Sequence, residues 1–318
     1  MLTTSITRRD MLKQAGVLMS GVVLGGLAAA DSGAARAASH AGTIVIGKDL
    51  KVNRLGFGAM RLSGPGIWGD PADRVEARRV LHRAIELGVN FIDTADAYGP
   101  ETNERLIADA LHPYPAGLVI ATKGGIVRPS QDRWDRDGHP AHLREACEAS
   151  LRRLRVDRID LYQLHAIDPN VPLEDSLGEI AKLQREGKIR HVGVSNFNAA
   201  ELERARRVVE VVSVQNRYNV SDRSSDDVLA VCERDGIAFI PWSPLSQSAR
   251  DSNAASREKL EAWAAGRGIS FPQAAIAWLL ARSPAMLPIP GTSQLKHLDE
   301  NVAAAAVQLT ADEMRSIG

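Results

Sequence analysis

The sequence predicts an α/β protein of the (β/α)8 barrel class, on three observations. From Thr43 onward, short apolar strand-like runs alternate with amphipathic helical stretches; there are eight such units; and no Pro/Gly/Ser-rich linker or charge block divides them. Near-continuous apolar strands imply a parallel sheet covered on its outer face, and closing eight of them gives a barrel.

In chain order, residues 43–47 and 50–52 read as a β-hairpin ahead of the repeat, placed to cover the bottom of the barrel. The strand expectations are 54–59, 90–94, 118–122, 159–164, 191–194, 212–215, 238–242 and 286–290. The helices between them are expected over 75–87, 102–111, 141–154, 173–186, 199–208, 225–235, 257–265 with 272–281, and 296–305. Gly88, Gly187 and Gly236 fall where a helix must stop, and Pro272 falls at a helix start, where its missing N–H costs nothing. The rival is a doubly wound open sheet. That fold announces its phosphate site with GxGxxG, whereas Gly56 and Gly58 lead into a long loop with no third glycine.

Residues 1–37 read differently. Thr7-Arg-Arg-Asp-Met-Leu-Lys13 precedes an apolar run over 16–30, and Ala35-Arg-Ala37 offers a small-x-small cleavage site. The order resembles a twin-arginine signal, implying export of a folded chain by that machinery to the periplasm, with a mature barrel over 38–318. An ordinary secretory signal or a misassigned start codon is the alternative, and the latter leaves a cytoplasmic protein. The apolar run is too short and too weakly hydrophobic for a stable membrane span.

Lys plus Arg equals Asp plus Glu at 39 each, so no strong field attracts nucleic acid, and a small-molecule partner is expected. The two cysteines, Cys147 and Cys232, lie 85 residues apart in helical stretches and read as buried thiols.

Barrel active sites are built where strands end at the C-terminal face. Here Asp93 closes the second strand, Lys123 the third, His165 the fourth, Ser195 and Asn196 the fifth, Gln215 and Asn216 the sixth, and Ser243 the seventh. Singly, each is also what a turn cap, a solvated rim or a satisfied core histidine looks like. Their convergence has a chemical logic. Hydride transfer to a carbonyl leaves an alkoxide that needs a proton, and a phenol with a pKa of about 10 is a poor acid at neutral pH. Tyr98, five residues beyond Asp93, can turn back over the mouth. An ammonium at Lys123 would lower the phenol's pKa, Asp93 would hold that ammonium, and His165 would donate to the substrate oxygen.

Phe91-Ile-Asp-Thr-Ala-Asp-Ala-Tyr-Gly99, Ala121-Thr-Lys-Gly124, Leu161-Tyr-Gln-Leu-His165, Gly193-Val-Ser-Asn-Phe197, Val214-Gln-Asn216 and Ile289-Pro-Gly-Thr-Ser293 occur in this order. Together they resemble the successive signatures of the aldo-keto reductases. The resemblance runs from Arg54 to the C-terminus and implies a TIM-barrel oxidoreductase that reduces an aldehyde or ketone to an alcohol. It makes Asp93, Tyr98, Lys123 and His165 the catalytic group, with Tyr98 as general acid. It also implies that Ser195, Asn196 and Gln215 hold the nicotinamide carboxamide and that Trp242 stacks on the ring.

Ser243, Leu245, Gly291, Thr292, Lys296, His297, Glu300 and Asn301 would line the rest of the nucleotide site, where Gly291-Thr-Ser293 opens a helix N-terminus suited to phosphate. His297 stands where the family commonly has arginine; NADPH is the expected cofactor and NADH the second option. The loop after the seventh strand, from Gln247 to Ala255, is short and suggests easy cofactor release. Met60, Leu62, Trp68, Ile126, Trp134 and Ile167 are expected to wall an apolar substrate pocket. The run from Met60-Arg-Leu62 to Trp68-Gly-Asp70 resembles the bacterial subgroup that includes pyridoxal reductases.

Two other classes remain. One is an exported NADP-binding redox-sensing or partner-binding barrel with little turnover, against which the intact catalytic group argues. The other is a metal-dependent hydrolase, against which the lack of an HxH pair and the charge of Lys123 argue.

Overall fold

The computed structural model describes residues 37–245 and 253–318. The expected leader over 1–37 therefore lies almost wholly outside the described residues, as does most of the loop from Gln247 to Ala255.

The strands are β1 Thr43–Ile46, β2 Leu50–Asn53, β3 Phe57–Gly58, β4 Phe91–Asp93, β5 Val119–Gly124, β6 Ile126–Ser130, β7 Arg133–Arg136, β8 Ile159–Leu164, β9 Ile189–Ser195, β10 Val211–Arg217 and β11 Ala238–Trp242. The helices, numbered along the described chain, are α1 Arg74–Glu86, α2 Thr102–Leu111, α3 Pro140–Leu154, α4 Leu173–Arg185, α5 Ala199–Arg206, α6 Asp226–Asp235, α7 Ala254–Gly266, α8 Phe271–Arg282, α9 Leu295–Ala303 and α10 Ala311–Ile317. Seven strands form one parallel sheet in the order β11-β10-β9-β8-β5-β4-β3.

The expected eighth strand, 286–290, is not a regular ladder strand, yet it closes the barrel. On one side Phe239 N donates to Ala285 O and Leu287 N to Phe239 O, both at 2.8 Å; on the other, Gly56 N donates to Pro288 O at 3.0 Å and Gly58 N to Pro290 O at 3.4 Å. Pro288 and Pro290 have no N–H to return, so the β3 side of the ladder is half made. The same seam explains the GxG. A Cβ on Gly58 would lie 2.6 Å from Ile289 O, and one on Gly291 would lie 2.4 Å from Gly58 O. These glycines permit close strand approach.

The hairpin β1–β2 sits where expected. Ile46, Leu50 and Val52 pack into one buried cluster with Phe91, Leu161, Val212, Ile240 and Leu287 from the strands, plugging the barrel bottom. Each such side chain contributes on the order of 1.5–3 kcal/mol by leaving water. Helices cover the outside of the strands in two larger clusters. Gly88, Gly187 and Gly236 have φ of 83°, 80° and 69°, the left-handed geometry that ends a helix.

Among the described α-helices and strand pairs, two were not expected. Helix α10 begins with a capping box, Thr310 with Glu313. The β6–β7 hairpin follows β5 on the active-site face and pairs antiparallel. Both cysteines are free and buried, as expected, and burial pushes their thiols up to about 12. Among the described residues no helix is long and apolar enough to cross a membrane.

Candidate active site

At the C-terminal end of β4 and β5, Lys123 Nζ donates to Asp93 Oδ1 at 2.6 Å and to the Thr94 carbonyl at 2.8 Å. Both side chains are enclosed. The other carboxylate oxygen of Asp93 accepts from Gln215 Nε2 at 2.7 Å and from Gln163 Nε2 at 3.2 Å. Burial alone would pull the Lys123 ammonium down; Asp93 foremost, together with Tyr98, outweighs it by charge and hydrogen bonding and holds it above its ordinary value. Gln163 is a site residue that sequence reasoning missed, because its strand position looks like core. Gln215 holds Asp93 here, a contact beyond the carboxamide role the resemblance implied.

Tyr98 caps this pair, with Lys123 Nζ 5.2 Å from its ring centroid. Its pKa departs from expectation in sign. Burial raises it above 10; Lys123 opposes by charge and hydrogen bond, but Asp93 and burial win. The phenol therefore rests protonated. His165 stands edge-on to Tyr98 at 5.9 Å between ring centroids. Burial and the Lys123 charge push its pKa well below 6.5, so the imidazole is neutral. Its Nδ1 is buried without a partner among the described residues.

Asn196 joins two parts of the site. Its Nδ2 donates to His165 O at 3.0 Å and to Ser195 Oγ at 3.1 Å, while its Oδ1 accepts from Trp242 Nε1 at 3.1 Å. Asn196 and Ser243 both hold φ in the left-handed region, at 63° and 54°, a cost that a structure sustains where neighbours fix the geometry.

One cavity of about 820 Å³ runs from Tyr98 and His165, past Ser195, Asn196, Gln215 and Trp242, to Ser243, Leu245 and Gly291. Met60, Ile126 and Trp134 wall its other side, together with Arg61 and Ile67, which sequence reasoning passed over although Arg61 adjoins Met60. Volume and lining, an apolar and aromatic wall facing a few convergent polar groups, suit a bound organic cofactor with its substrate.

Other expected residues lie elsewhere. Leu62 is fully buried in the core beside α1. Trp68 packs over the Arg128 guanidinium at 5.5 Å and bridges Gly99 by its backbone. Ile167 lines a separate hollow with Asp168–Leu173, its carbonyl accepting from Arg136. Thr292, Lys296, His297, Glu300 and Asn301 fall beyond the cavity rim, on the turn into α9 and on α9 itself. Asn301 and Thr292 are buried there, while Lys296 is exposed and only 4.0 Å from Glu300. The one three-residue group with metal-ligand spacing among the described residues, Asp137, His139 and Asp168, lies outside the cavity lining and includes neither Asp93 nor His165.

Residues 54–318 match the family described as the Aldo/keto reductase family. The chain is 50% identical over 275 residues to an uncharacterised oxidoreductase of Schizosaccharomyces pombe, covering 86% of this chain and 88% of the relative. It is 40% identical over 272 residues to pyridoxine 4-dehydrogenase of Escherichia coli, covering 84% and 94%. Among solved structures it is similar to an aldo-keto reductase of Klebsiella pneumoniae in complex with NADPH, with a TM-score of 0.73 and 28% identity over 86% of this chain and 93% of that one.

Proposed function

Because the chain belongs to the aldo/keto reductase family, we propose that it reduces an aldehyde or ketone to an alcohol with NADPH, Tyr98 acting as general acid. The observation that carries this reading is the enclosed Asp93–Lys123 pair against Tyr98, whose side chain lines the cavity. Ser195, Asn196, Gln215 and Trp242 would hold NADPH, which would supply the hydride; the Klebsiella relative carries that nucleotide.

The protein's own groups do the rest. The Tyr98 hydroxyl and the neutral His165 ring face the carbonyl oxygen and orient it. Because burial keeps Tyr98 protonated, its proton is present when negative charge develops on that oxygen. As the phenol gives the proton up, the Lys123 ammonium meets the phenolate charge in a site from which water is largely excluded, where that attraction is strong. Asp93 keeps the ammonium charged and placed; Gln163 and Gln215 keep Asp93 placed. Met60, Ile126 and Trp134 exclude water from the substrate side.

Pyridoxal is the first substrate to test, given the 40% identity to pyridoxine 4-dehydrogenase. Incubation of the protein with NADPH carrying deuterium at both C4 positions of the nicotinamide, in turn with pyridoxal and 4-nitrobenzaldehyde, should place deuterium on the product carbinol carbon. Alcohol without label, or no alcohol from either aldehyde, would overturn the reading. Replacing Lys296 and His297 by alanine should weaken NADPH about tenfold and leave NADH unchanged, if they meet the 2′-phosphate. Residues 1–37 fit a twin-arginine leader on their order alone, and the N-terminal sequence of the mature protein decides that reading.

A further inference from the structure

Arg128, on β6, is 8% exposed although it carries a guanidinium. Its charge is met by backbone carbonyls from three separate segments. Nε donates to Arg133 O at 3.1 Å and a terminal nitrogen to Gln131 O at 2.5 Å, closing its own hairpin turn. Other N–H groups reach Gly66 O at 3.2 Å and Ile67 O at 3.1 Å on the loop after β3, and Ala97 O at 3.4 Å, one residue before Tyr98. The guanidinium also lies 3.7 Å from the ring centroid of Trp134, a close cation–π stack.

Few other contacts hold the parts it joins. Strand β7 is mostly exposed and in β6 Ile126 and Val127 are only half-buried, so the hairpin is otherwise tied to the barrel face chiefly by Gln131 Nε2 on Pro65 O at 3.2 Å and Arg136 on Ile167 O at 3.1 Å. Ile67, which lines the cavity, has φ of 58°, an outlier for a β-branched residue. Its carbonyl accepts from both Arg128 and Gly99 N, and that double hold keeps the conformation. Trp134 keeps its ring edge-on to Tyr98 at 6.4 Å although it is 39% exposed.

We propose that Arg128 is the positioning residue of the substrate wall: it clamps the β6–β7 hairpin to the catalytic loop, holds Trp134 beside Tyr98, and so makes the site prefer flat aromatic carbonyl compounds. The proposal rests on the carbonyl-reductase reading and deepens it. Arg128 touches neither the cavity nor the reacting atoms; it acts through Trp134. A lysine cannot replace it, since one ammonium offers three donors and no planar face, against five donors in a flat fork.

The test compares wild type, Arg128→Lys, Trp134→Ala, Trp134→Phe and the double variant Arg128→Lys/Trp134→Ala, with 4-nitrobenzaldehyde and propanal as substrates and NADPH affinity measured separately. Arg128→Lys and Trp134→Ala should each raise KM for 4-nitrobenzaldehyde about tenfold relative to KM for propanal, whatever either does to kcat, with NADPH affinity within about twofold, the span expected from losing one aromatic ring contact. The double variant should be no worse than either single one, because both remove the same wall, and Trp134→Phe should stay near wild type. Equal losses for both aldehydes, or effects that add in full, would overturn the proposal. If Arg128→Lys does not fold, an unchanged aldehyde preference in Trp134→Ala overturns it and a lost preference supports it. If wild type reduces neither aldehyde, the catalytic reading has failed by itself. The clamp is then decided by limited proteolysis, in which Arg128→Lys alone should open cleavage within 126–136; unchanged resistance there counts against it.

Discussion

The carboxylate of Asp93 and the ammonium of Lys123 sit 2.6 Å apart with 3% and 0% of their side chains exposed. Neither charge has water to fall back on. Removing one partner leaves the other buried and uncompensated, which costs about 3–5 kcal/mol, whereas removing both does not. Asp93→Asn and Lys123→Met should each destabilise the protein by that amount in urea unfolding, and the double variant should cost clearly less than their sum. Additive losses would show that the two charges do not depend on one another.

His165 gives a pH prediction with a definite sign. Its pKa in the folded protein is well below 6.5, so between the two values the unfolded chain binds more protons. Its contribution to stability is therefore complete above pH 6.5 and is lost as pH falls below it, by at most about 1.4 kcal/mol per pH unit. Between pH 7.5 and 5.5 the wild type should lose about 1 kcal/mol more stability than His165→Gln, read from urea midpoints at the two values. A variant that loses as much as the wild type would contradict the burial of a neutral imidazole.

Cys147 and Cys232 are both fully buried, with thiols pushed up to about 12. At pH 8 only about one thiol in ten thousand is ionised, and the thiolate is the reactive form. A disulfide-exchange reagent such as DTNB should label neither in the native protein and both in urea. Fast labelling of either in the folded state would show that its helix packs more loosely than described.

Much of the fold was legible because periodicity and stop signals report on local chain geometry. Ile159–Leu164, Ala238–Trp242 and Thr102–Leu111 stand within the expected bounds, and the hairpin over the barrel bottom follows from its alternation. The segment around Pro288 and Pro290 read as a strand because its residues are apolar, yet the missing N–H groups show only in the pairing. The β6–β7 hairpin was silent for the opposite reason. It only half-buries its apolar residues Ile126 and Val127, and the side chains that hold it on distant carbonyls, Arg128 foremost, have no pattern along the chain. Within the site, Asp93, Lys123 and His165 were readable as polar residues at strand ends and Tyr98 from its place on the loop after Asp93, and the structure brings them together. Ile167 and Trp68 were not separable from true cavity residues by type, because position along a loop does not say which way a side chain turns. The resting pKa of Tyr98 needed the depth of burial, which competes with the Lys123 charge and exceeds it.

The central claim is that Tyr98 delivers the proton, and one substitution isolates it. Tyr98→Phe keeps the ring, its edge-on contacts with His165 and Trp134 and the shape of the cavity, and removes only the hydroxyl. Steady-state reduction of 4-nitrobenzaldehyde by NADPH, measured beside NADPH affinity, should show kcat lowered by about 10²–10⁴-fold, the usual contribution of a general acid, with cofactor affinity unchanged. A Tyr98→Phe protein that binds NADPH and turns over within a few-fold of wild type would contradict the account.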